Sequence, residues 1–329
     1  MRKKTMAVLL TGLMCIISGC SIGKTDVVFT TGLSYNEVFK IEGETVTLPQ
    51  AKVYLSNYQN IYGNAYDINL WEQEFKTEDL ERYIKDITIA EMTRVMCMNQ
   101  LAAKKEIALT EEEKERMEAA AEEYYESLTR EEIRYMDVSK SVIEGLYKDY
   151  ALAEKLYTTL TTGIDEEVSD DEARVMEVMQ IYVTDQTKAG EIASRLSSGS
   201  DFYTLAAEYN EKGSIERTIR RGELPKEAED TAFNLDNEEI SESILTEDGY
   251  YFFKCVNKFN EQLTDENRVR ILKEREKSAF NDEYDEFVSG LDSDINVDMW
   301  DELELKTDGT IKTNSFFTVF KKYYYGEEE

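Results

Sequence analysis

The chain has 329 residues, of which 69 are acidic and 38 basic, so that its formal net charge is −31. A duplex-binding protein needs a basic face, and this charge argues against nucleic acid as a partner. The chain contains no histidine, which excludes Ser-His-Asp triads, Cys-His dyads, histidine general bases and histidine-ligated zinc. Only two prolines interrupt it, so we expect long helices. No cofactor and no metal ion are predicted.

The N-terminus has the pattern of a bacterial lipoprotein signal peptide. Three basic residues precede an apolar run, Met6 to Ile17, which is too short to span a bilayer comfortably. Ile17-Ser18-Gly19-Cys20 resembles the lipobox, whose cysteine receives a diacylglyceryl group and becomes the new N-terminus. The resemblance implies a signal peptide over residues 1–19, lipidation of Cys20, and an extracytoplasmic location on the cell membrane. The alternative is an ordinary cleaved signal with an incidental cysteine.

The segment after the signal peptide is predicted to be mainly helical up to residue 165. Residues 20–34 contain Ser, Gly and Thr without helical periodicity, and we expect a tether. A hairpin is predicted over Val38 to Val46. The remaining elements of residues 35–165 are helices, indicated by apolar spacing or by capping boxes: Leu48 to Tyr62, Leu80 to Leu101, a helix opened by Thr110 with Glu113, one opened by Thr129 with Glu132, and Ser139 to Leu160.

Residues 171–260 have a different pattern, in which short strands and short helices alternate. Val175 to Val183 and Tyr250 to Val256 are rich in β-forming residues, and Asp201 is a candidate helix N-cap. Helical periodicity returns over residues 264–305. The fold class is therefore α+β, with one helical domain that is discontinuous in sequence and an α/β domain inserted in it. Residues 306–329 lack a clear core pattern and are expected to form a flexible tail.

Two cysteines remain after the signal peptide and Cys20 are set aside. Cys97 lies in an apolar helical run and Cys255 in a predicted strand. Both are expected to be buried as small apolar side chains, and a disulfide between them is not favoured.

The run from Arg174 to Asn257 resembles a parvulin domain, the peptidyl-prolyl cis-trans isomerase (PPIase, or rotamase) module. The matching pieces keep the order and spacing of that family: Val178 to Val183, Asp201-Phe202, Arg221 to Pro225, Ala232-Phe233, Glu239-Ile240-Ser241 and Gly249-Tyr250 before Lys254. With the lipobox and the flanking helices, the whole mature chain is similar to the PrsA/SurA-like family of extracytoplasmic foldases. That resemblance implies a four-stranded antiparallel sheet with surrounding helices, and a helical chaperone lobe whose partners are unfolded or nascent secreted proteins.

The residues that match the parvulin cleft depart from the family pattern. Gln180 and Tyr251 stand where the family has two histidines, and Lys212 stands near its acidic or cysteine residue. Leu224 and Ala228 replace the methionine and phenylalanine of the proline cup, so the cup loses its largest wall. Unaided rotation about an X-Pro bond crosses a barrier of about 18–20 kcal/mol. We expect this altered cleft to catalyse that rotation weakly or not at all, leaving a membrane-anchored folding factor for secreted polypeptides.

Two alternatives stay open. If the family's histidines only support the cleft, Leu224 and Tyr251 suffice for an active isomerase. A dedicated assembly or structural lipoprotein could use the parvulin-like domain for docking to a single partner. Arg217, Arg220 and Arg221 form a basic patch beside the expected cleft; it could hold phosphate or acidic residues, but a solvated surface is favoured. The acidic runs Glu111 to Glu115 and Glu327 to Glu329 lack the spacing of a calcium loop and are interpreted as solvated faces.

Overall fold

The computed structural model describes residues 33–65, 68–72, 77–164 and 167–326. The predicted signal peptide, Cys20 and most of the tether lie outside these residues. The chain divides into a helical unit, which consists of the described residues up to Thr162 and from Phe280 onwards, and an α/β unit, Gly163–Ala279. None of the helices among the described residues is both long and apolar enough to cross a membrane.

The helical unit begins with a hairpin, which is followed by five helices. The first helix has Pro49 in its first turn, where a missing backbone N–H costs nothing. The elements are β1 (Glu37–Ile41), β2 (Glu44–Thr47), α1 (Leu48–Gly63), the two-residue strands β3 (Asn64–Ala65) and β4 (Ile68–Asn69), a 3-10 turn (Leu70–Glu72), α2 (Thr77–Lys104), α3 (Glu111–Ser127), α4 (Arg130–Met136) and α5 (Lys140–Thr161).

The α/β unit alternates short helices with the strands of one sheet. Its elements are α6 (Asp170–Ala173), β5 (Val175–Val183), α7 (Gln186–Ser197), α8 (Phe202–Tyr209), β6 (Glu216–Arg220), α9 (Lys226–Ala232), β7 (Ile244–Leu245), β8 (Tyr250–Asn257) and the first part of α10 (Glu261–Val288). The rest of α10 belongs to the helical unit, where β9 (Ser293–Ile295), α11 (Val297–Glu302) and α12 (Phe316–Tyr325) follow it.

Local sequence signals account for several of these boundaries. The β1–β2 turn places Glu42 and Gly43 at positive φ, 47° and 90°, as a tight hairpin with the twist of its strands requires. Thr110 and Thr129 open α3 and α4 with complete capping boxes, and Asp201 caps α8 through the backbone N–H of Thr204. These sequence predictions are confirmed.

One continuous core fills the helical unit, and aromatic residues are its bulkiest members. Its largest fully buried side chains include Tyr54, Tyr124, Tyr147, Phe316 and Phe320. β9 pairs with β1 to give a small sheet of order β2-β1-β9, so the chain that returns after the α/β unit closes the edge of the N-terminal hairpin. The helical unit is therefore built from both ends of the sequence.

The sheet of the α/β unit has the order β6-β5-β8-β7, and all neighbouring strands are antiparallel. α7 and α8 cover one face through Ile192, Phe202 and Leu205. The other face packs against α9 and the segments around it, and we call it the cleft face. The predicted α+β class with a four-stranded antiparallel sheet is confirmed. Cys97 and Cys255 are buried free thiols, as predicted.

The expected flexible tail is wrong for much of its length. Phe316, Phe317, Val319 and Phe320 are buried in the core of the helical unit. The sequence predicted disorder because α12 is only 10 residues long and its partners lie far away in the chain. The apolar burial of these four side chains outweighs the entropy of ordering this segment.

Residues 264–305 are predicted to form a helix and a strand that complete the helical domain, but α10 begins at Glu261 and its residues up to Ala279 belong to the α/β unit. Polar contacts hold this first part. The Thr264 hydroxyl accepts a hydrogen bond from the backbone N–H of Val175 (3.1 Å), and the Asn267 amide donates to the backbone oxygen of Ala173 (2.8 Å). Both side chains are buried, so these bonds fix the start of α10 against β5.

Candidate functional site

The two positions that match the family's histidines lie on the same face of the sheet. In the β5–β8 register, Gln180 is opposite Phe253 and Tyr182 is opposite Tyr251. Directly opposite residues of an antiparallel pair share a face, and residues two apart on one strand do as well. Gln180 and Tyr251 are therefore diagonal neighbours on the cleft face.

Gln180 is 1% exposed, and both ends of its side-chain amide are hydrogen bonded. Its Nε2 donates to the backbone oxygen of Lys212 (3.0 Å), and its Oε1 accepts from Nη1 of Arg217 (3.2 Å). Breaking either hydrogen bond would leave a buried polar atom without a partner, which is unfavourable. Gln180 therefore tightens the loop before β6 and does not present a free polar group to a substrate.

Lys212 is exposed and contacts two residues of the cleft face, Gln180 and Tyr182. Its backbone oxygen receives the Gln180 bond, and its ammonium group lies 5.4 Å from the ring centroid of Tyr182, within the range of a cation–π contact. The Tyr182 hydroxyl donates to the backbone oxygen of Asp248. Position 212 thus supplies a cation and not an acid or thiol.

Tyr251 is the cleft residue with an available polar group. It is 4% exposed, with its ring centroid 4.8 Å from that of Tyr182 and 5.7 Å from that of Phe253. Within the described part of the chain its hydroxyl makes no hydrogen bond. Burial, together with the nearby Asp248 carboxylate, raises the pKa of this hydroxyl above its ordinary value, while Arg217 opposes that shift. At neutral pH the group is a neutral phenol that can donate to a carbonyl oxygen.

The two cup positions, Leu224 and Ala228, differ in burial. Leu224 is half-buried and packs against the cluster that contains Tyr251 and Phe233. Ala228, on α9, is fully buried in the same cluster. Ala228 therefore lies within the cluster behind the cleft, and its methyl group offers no exposed surface to a ligand. Of the five predicted positions, Gln180 and Tyr251 lie on the cleft face, Leu224 and Ala228 pack against it, and Lys212 contacts it through Tyr182.

The basic patch is neutralised by neighbouring carboxylates. Arg220 pairs with Glu223 at 3.2 Å, and Arg221 pairs with Asp171 at 2.7 Å while its guanidinium lies 4.1 Å from the ring centroid of Phe233. Arg217 contacts Gln180. These contacts favour the interpretation of a paired surface over an anion site. In the described ranges, no group of three or more Cys, Asp or Glu side chains is arranged to hold a metal ion.

Two cleft-face residues were missed in the sequence analysis. Tyr182 lies two positions after Gln180 on β5, and alternation along a strand could have placed it on the same face. Arg217 was considered only as part of a basic patch. The short strand β6 has a single buried residue, Ile219, so its pattern of buried and exposed residues is too weak to assign Arg217 to a face of the sheet. The cleft face therefore presents two phenols and one guanidinium.

Comparison with known proteins agrees with this architecture. The family model of the rotamase, or PPIC-type PPIase, domain matches residues 166–257. The α/β unit contains a parvulin domain. Beyond the parvulin domain, the chain is similar to the foldase protein PrsA of Caldanaerobacter subterraneus subsp. tengcongensis, with 27% identity over 274 residues that cover 75% of this chain and 86% of the relative. The chain is thus PrsA-like along most of its length.

Further relatives match over a shorter stretch. The chain is 30% identical to foldase protein PrsA 4 of Bacillus cereus over 151 residues, which cover 42% of this chain and 54% of the relative. It therefore spans about half the length of that protein. A crystal structure described as the peptidylprolyl isomerase PrsA from Bacillus cereus is 22% identical, with a TM-score of 0.36 and coverage of 75% of this chain and 93% of the other.

Proposed function

We propose that this protein is a membrane-anchored, extracytoplasmic folding factor that binds unfolded secreted polypeptides and whose parvulin domain has weak or no isomerase activity. The relatives are named foldases, and the parvulin domain keeps its sheet and both of its packed faces. The observation that carries the proposal is Gln180. It occupies a histidine position of the family cleft and uses both ends of its amide for internal hydrogen bonds.

The cleft face offers few groups that would stabilise a twisted amide. An isomerase must bind the twisted X-Pro bond more tightly than the planar forms. Gln180 is committed to Lys212 and Arg217, and a fully buried methyl group stands at the aromatic position of the cup. The cleft face has aromatic rings, such as those of Tyr182 and Tyr251, that can contact a polypeptide. It lacks the aromatic wall that would shape a pocket for proline.

Membrane anchoring is proposed from the sequence. Cys20 lies outside the described residues, and the lipobox resemblance of Ile17-Ser18-Gly19-Cys20 supports it. Two or three acyl chains give effectively permanent attachment, since each buried CH₂ contributes about 0.8 kcal/mol. This location would place the protein where secreted chains leave the translocon. Its negative charge would limit non-specific adhesion to anionic lipid.

Light scattering of an unrelated protein diluted from denaturant tests the folding-factor proposal. The experiment uses the mature chain from residue 20 with Cys20→Ser, which avoids the need for detergent. We expect aggregation to fall as the protein approaches a stoichiometric ratio, for at least two clients of unrelated sequence. Suppression of no client, or of one partner only, would contradict a general folding factor and favour the dedicated assembly lipoprotein.

A second function, that of an active isomerase, is favoured by one observation. The Tyr251 hydroxyl has no hydrogen-bond partner in the described chain, and half-buried Leu224 packs against the same cluster. Assay of a proline tetrapeptide panel separates the two readings. Our proposal predicts rates at or close to the uncatalysed background, with no difference between the wild type and Tyr251→Phe. A rate that is well above background and falls in Tyr251→Phe would establish an isomerase.

A further inference from the structure

A cavity of about 210 Å³ lies inside the helical unit, lined by residues of α1, α2, α5 and β2. One part of its wall is apolar and includes Val46, Met92, Met96 and Leu146. The rest is polar, and no lysine or arginine among the described residues lines it. Pockets for drug-sized molecules have volumes of about 300–1,000 Å³. This smaller cavity therefore suits a small ligand.

Two amide oxygens on the α2 side of the cavity are buried and have no hydrogen-bond partner within the described ranges. They are Asn99 Oδ1 and Gln100 Oε1. The other end of the Gln100 amide is used, because its Nε2 donates to the backbone oxygen of Ile41 at 3.0 Å. A buried acceptor without a donor is unfavourable. These two oxygens therefore favour a ligand that carries N–H groups.

Tyr54, on α1, brings a phenol to the same cavity. It is 1% exposed, and its ring meets that of Phe317 edge-on at 5.5 Å. In the part of the chain that the structure describes, its hydroxyl makes no hydrogen bond. Burial raises the pKa of this hydroxyl well above its ordinary value, and the carboxylates of Glu91 and Asp149 add to that effect. Tyr54 is therefore a neutral, buried phenol that can still accept a hydrogen bond.

Two carboxylates complete the polar wall, Glu44 from β2 and Asp149 from α5. Neither has an ion pair or a side-chain hydrogen bond with another described residue. Asp149 is accessible to solvent, so a ligand can reach it. The surrounding protein still excludes enough water to raise the pKa of its carboxyl to about 6, with a smaller contribution from the nearby Glu44 carboxylate. At neutral pH the cavity therefore carries negative charge that no lining residue balances.

Water and a metal ion are two other ligands that oxygen atoms accept. Water would satisfy the amide oxygens, but it would leave the carboxylates unbalanced. A calcium ion takes about six to eight oxygen ligands, whereas much of this wall consists of methionine, valine and leucine side chains. A cation with N–H donors and an apolar body matches both kinds of wall.

We propose that this cavity is a binding site for a small aliphatic amine in its ammonium form. The ammonium group donates to Asn99, Gln100 and Asp149, since it has three N–H donors and no acceptor of its own. The alkyl chain contacts Met92 and Met96. Because the cavity exists only in the folded helical unit, a bound amine stabilises that unit. This site does not rest on the proposed function, because it requires no client polypeptide.

Isothermal titration calorimetry of the mature Cys20→Ser chain with n-butylamine at pH 7.5 tests the proposal. We expect saturable binding with one amine per chain. We expect no binding of 1-butanol, which lacks the charge, or of tetramethylammonium chloride, which lacks N–H donors. Absence of saturable butylamine binding, or equal binding of either control compound, would overturn the proposal.

Two further titrations separate the free amine from other sources of positive charge. Calcium chloride that binds and displaces butylamine would assign the cavity to a metal ion and overturn the proposal. Nα-acetyl-lysinamide has the same alkylammonium group attached to a peptide backbone. Tighter binding of this compound than of butylamine would assign the cavity to a lysine side chain of a polypeptide. Weaker or equal binding supports a free amine.

Asp149→Asn tests the assigned residue, and it should weaken butylamine binding by about ten-fold, the equivalent of one hydrogen bond to a charged group. Asp86→Asn is the matched control, because it removes the same charge from an exposed position of α2 outside the cavity. It should leave the affinity unchanged. Equal affinities of the two variants for butylamine would contradict binding at this cavity.

The pH dependence of binding gives a second readout for Asp149. The other titratable groups that line the cavity are Glu44 of β2 and Tyr54 of α1, while α2 contributes only neutral amides and apolar side chains. One pH unit below its pKa a carboxyl is only about one-tenth ionised, so binding should be about ten-fold weaker at pH 5 than at pH 7.5. Asp149→Asn should abolish this difference. A difference that persists in Asp149→Asn would overturn the role of Asp149.

Discussion

Arg217 Nη1 donates a 3.2 Å hydrogen bond to Gln180 Oε1 across neighbouring strands of the parvulin sheet. This contact gives the Gln180 side chain a structural role. Gln180 is buried and holds the backbone of Lys212 with its other end. The sheet and the loop before β6 are thereby joined through the Gln180 side chain.

Gln180→Ala therefore tests whether this residue is structural. Removal of a buried amide and its two bonds is expected to lower the free energy of unfolding by about 1–3 kcal/mol. Urea denaturation measures this loss, and light scattering of a client measures function. Because the family resemblance assigns client binding to the helical unit, aggregation suppression at a temperature where the variant is folded should match that of the wild type. Unchanged stability with lost suppression would contradict the assignment.

Gly249, which directly precedes β8, has a backbone conformation and surroundings that favour glycine. Its φ is +151°, and a Cβ there would lie 2.7 Å from the backbone oxygen of Val183. Gly249→Ala should therefore destabilise the protein by about 1–3 kcal/mol, the cost of backbone strain. Gly190→Ala is the matched control, since Gly190 lies within α7 with nothing within 4 Å of its added Cβ, and it should stabilise by about 0.5–1 kcal/mol. Equal melting temperatures for both variants would show that this geometry is wrong.

Glu132 makes the attachment of the C-terminal segment, residues 306–325, dependent on pH. Burial alone would raise the pKa of this carboxyl, but hydrogen bonds from Thr129, Lys312 and Thr313 outweigh burial and lower it. A folded-state pKa below the unfolded value of about 4.3 means that the unfolded chain binds more protons. The stabilisation that these hydrogen bonds contribute is complete above the unfolded-state pKa and is lost as the pH falls through the folded-state pKa.

We therefore expect amide exchange over residues 306–325 to accelerate on acidification from pH 5 to about pH 3, after correction for the intrinsic pH dependence of exchange. Glu132→Gln should flatten that response. Glu131→Gln, at an exposed neighbouring position of α4, is the control and should behave as the wild type does. A response that survives in Glu132→Gln would assign the pH dependence to another group.

These results show which parts of the fold follow from local sequence. The capping boxes at Thr110 and Thr129 involve groups three residues apart, so their pattern alone locates the helix starts. α12 was missed because Phe316 and its partner Tyr147 are 169 residues apart, and no local pattern records such a contact. The presence of Gln180 and Tyr251 in the sequence predicts an altered cleft. The pairing of Gln180 with Arg217 depends on strand register, so it could not be predicted from the sequence.

Anchoring by Cys20 predicts a simple fractionation result. Cys20→Ser should move the protein from the membrane fraction to the soluble fraction and abolish incorporation of labelled fatty acid. Cys15→Ser is the matched control, because Cys15 lies in the apolar run of the predicted signal peptide, and it should leave both properties unchanged. Labelled lipid on Cys20→Ser would show that another residue is modified.

The central claim is that this protein assists folding by binding unfolded chains and not by rotating prolyl bonds. Refolding of a secreted protein whose slow phase is limited by proline isomerisation tests both parts in one measurement. We predict a higher yield of native client near stoichiometric amounts of the mature Cys20→Ser protein, with the rate constant of the slow phase unchanged. Acceleration of that phase at catalytic amounts, lost in Tyr251→Phe, would contradict the account.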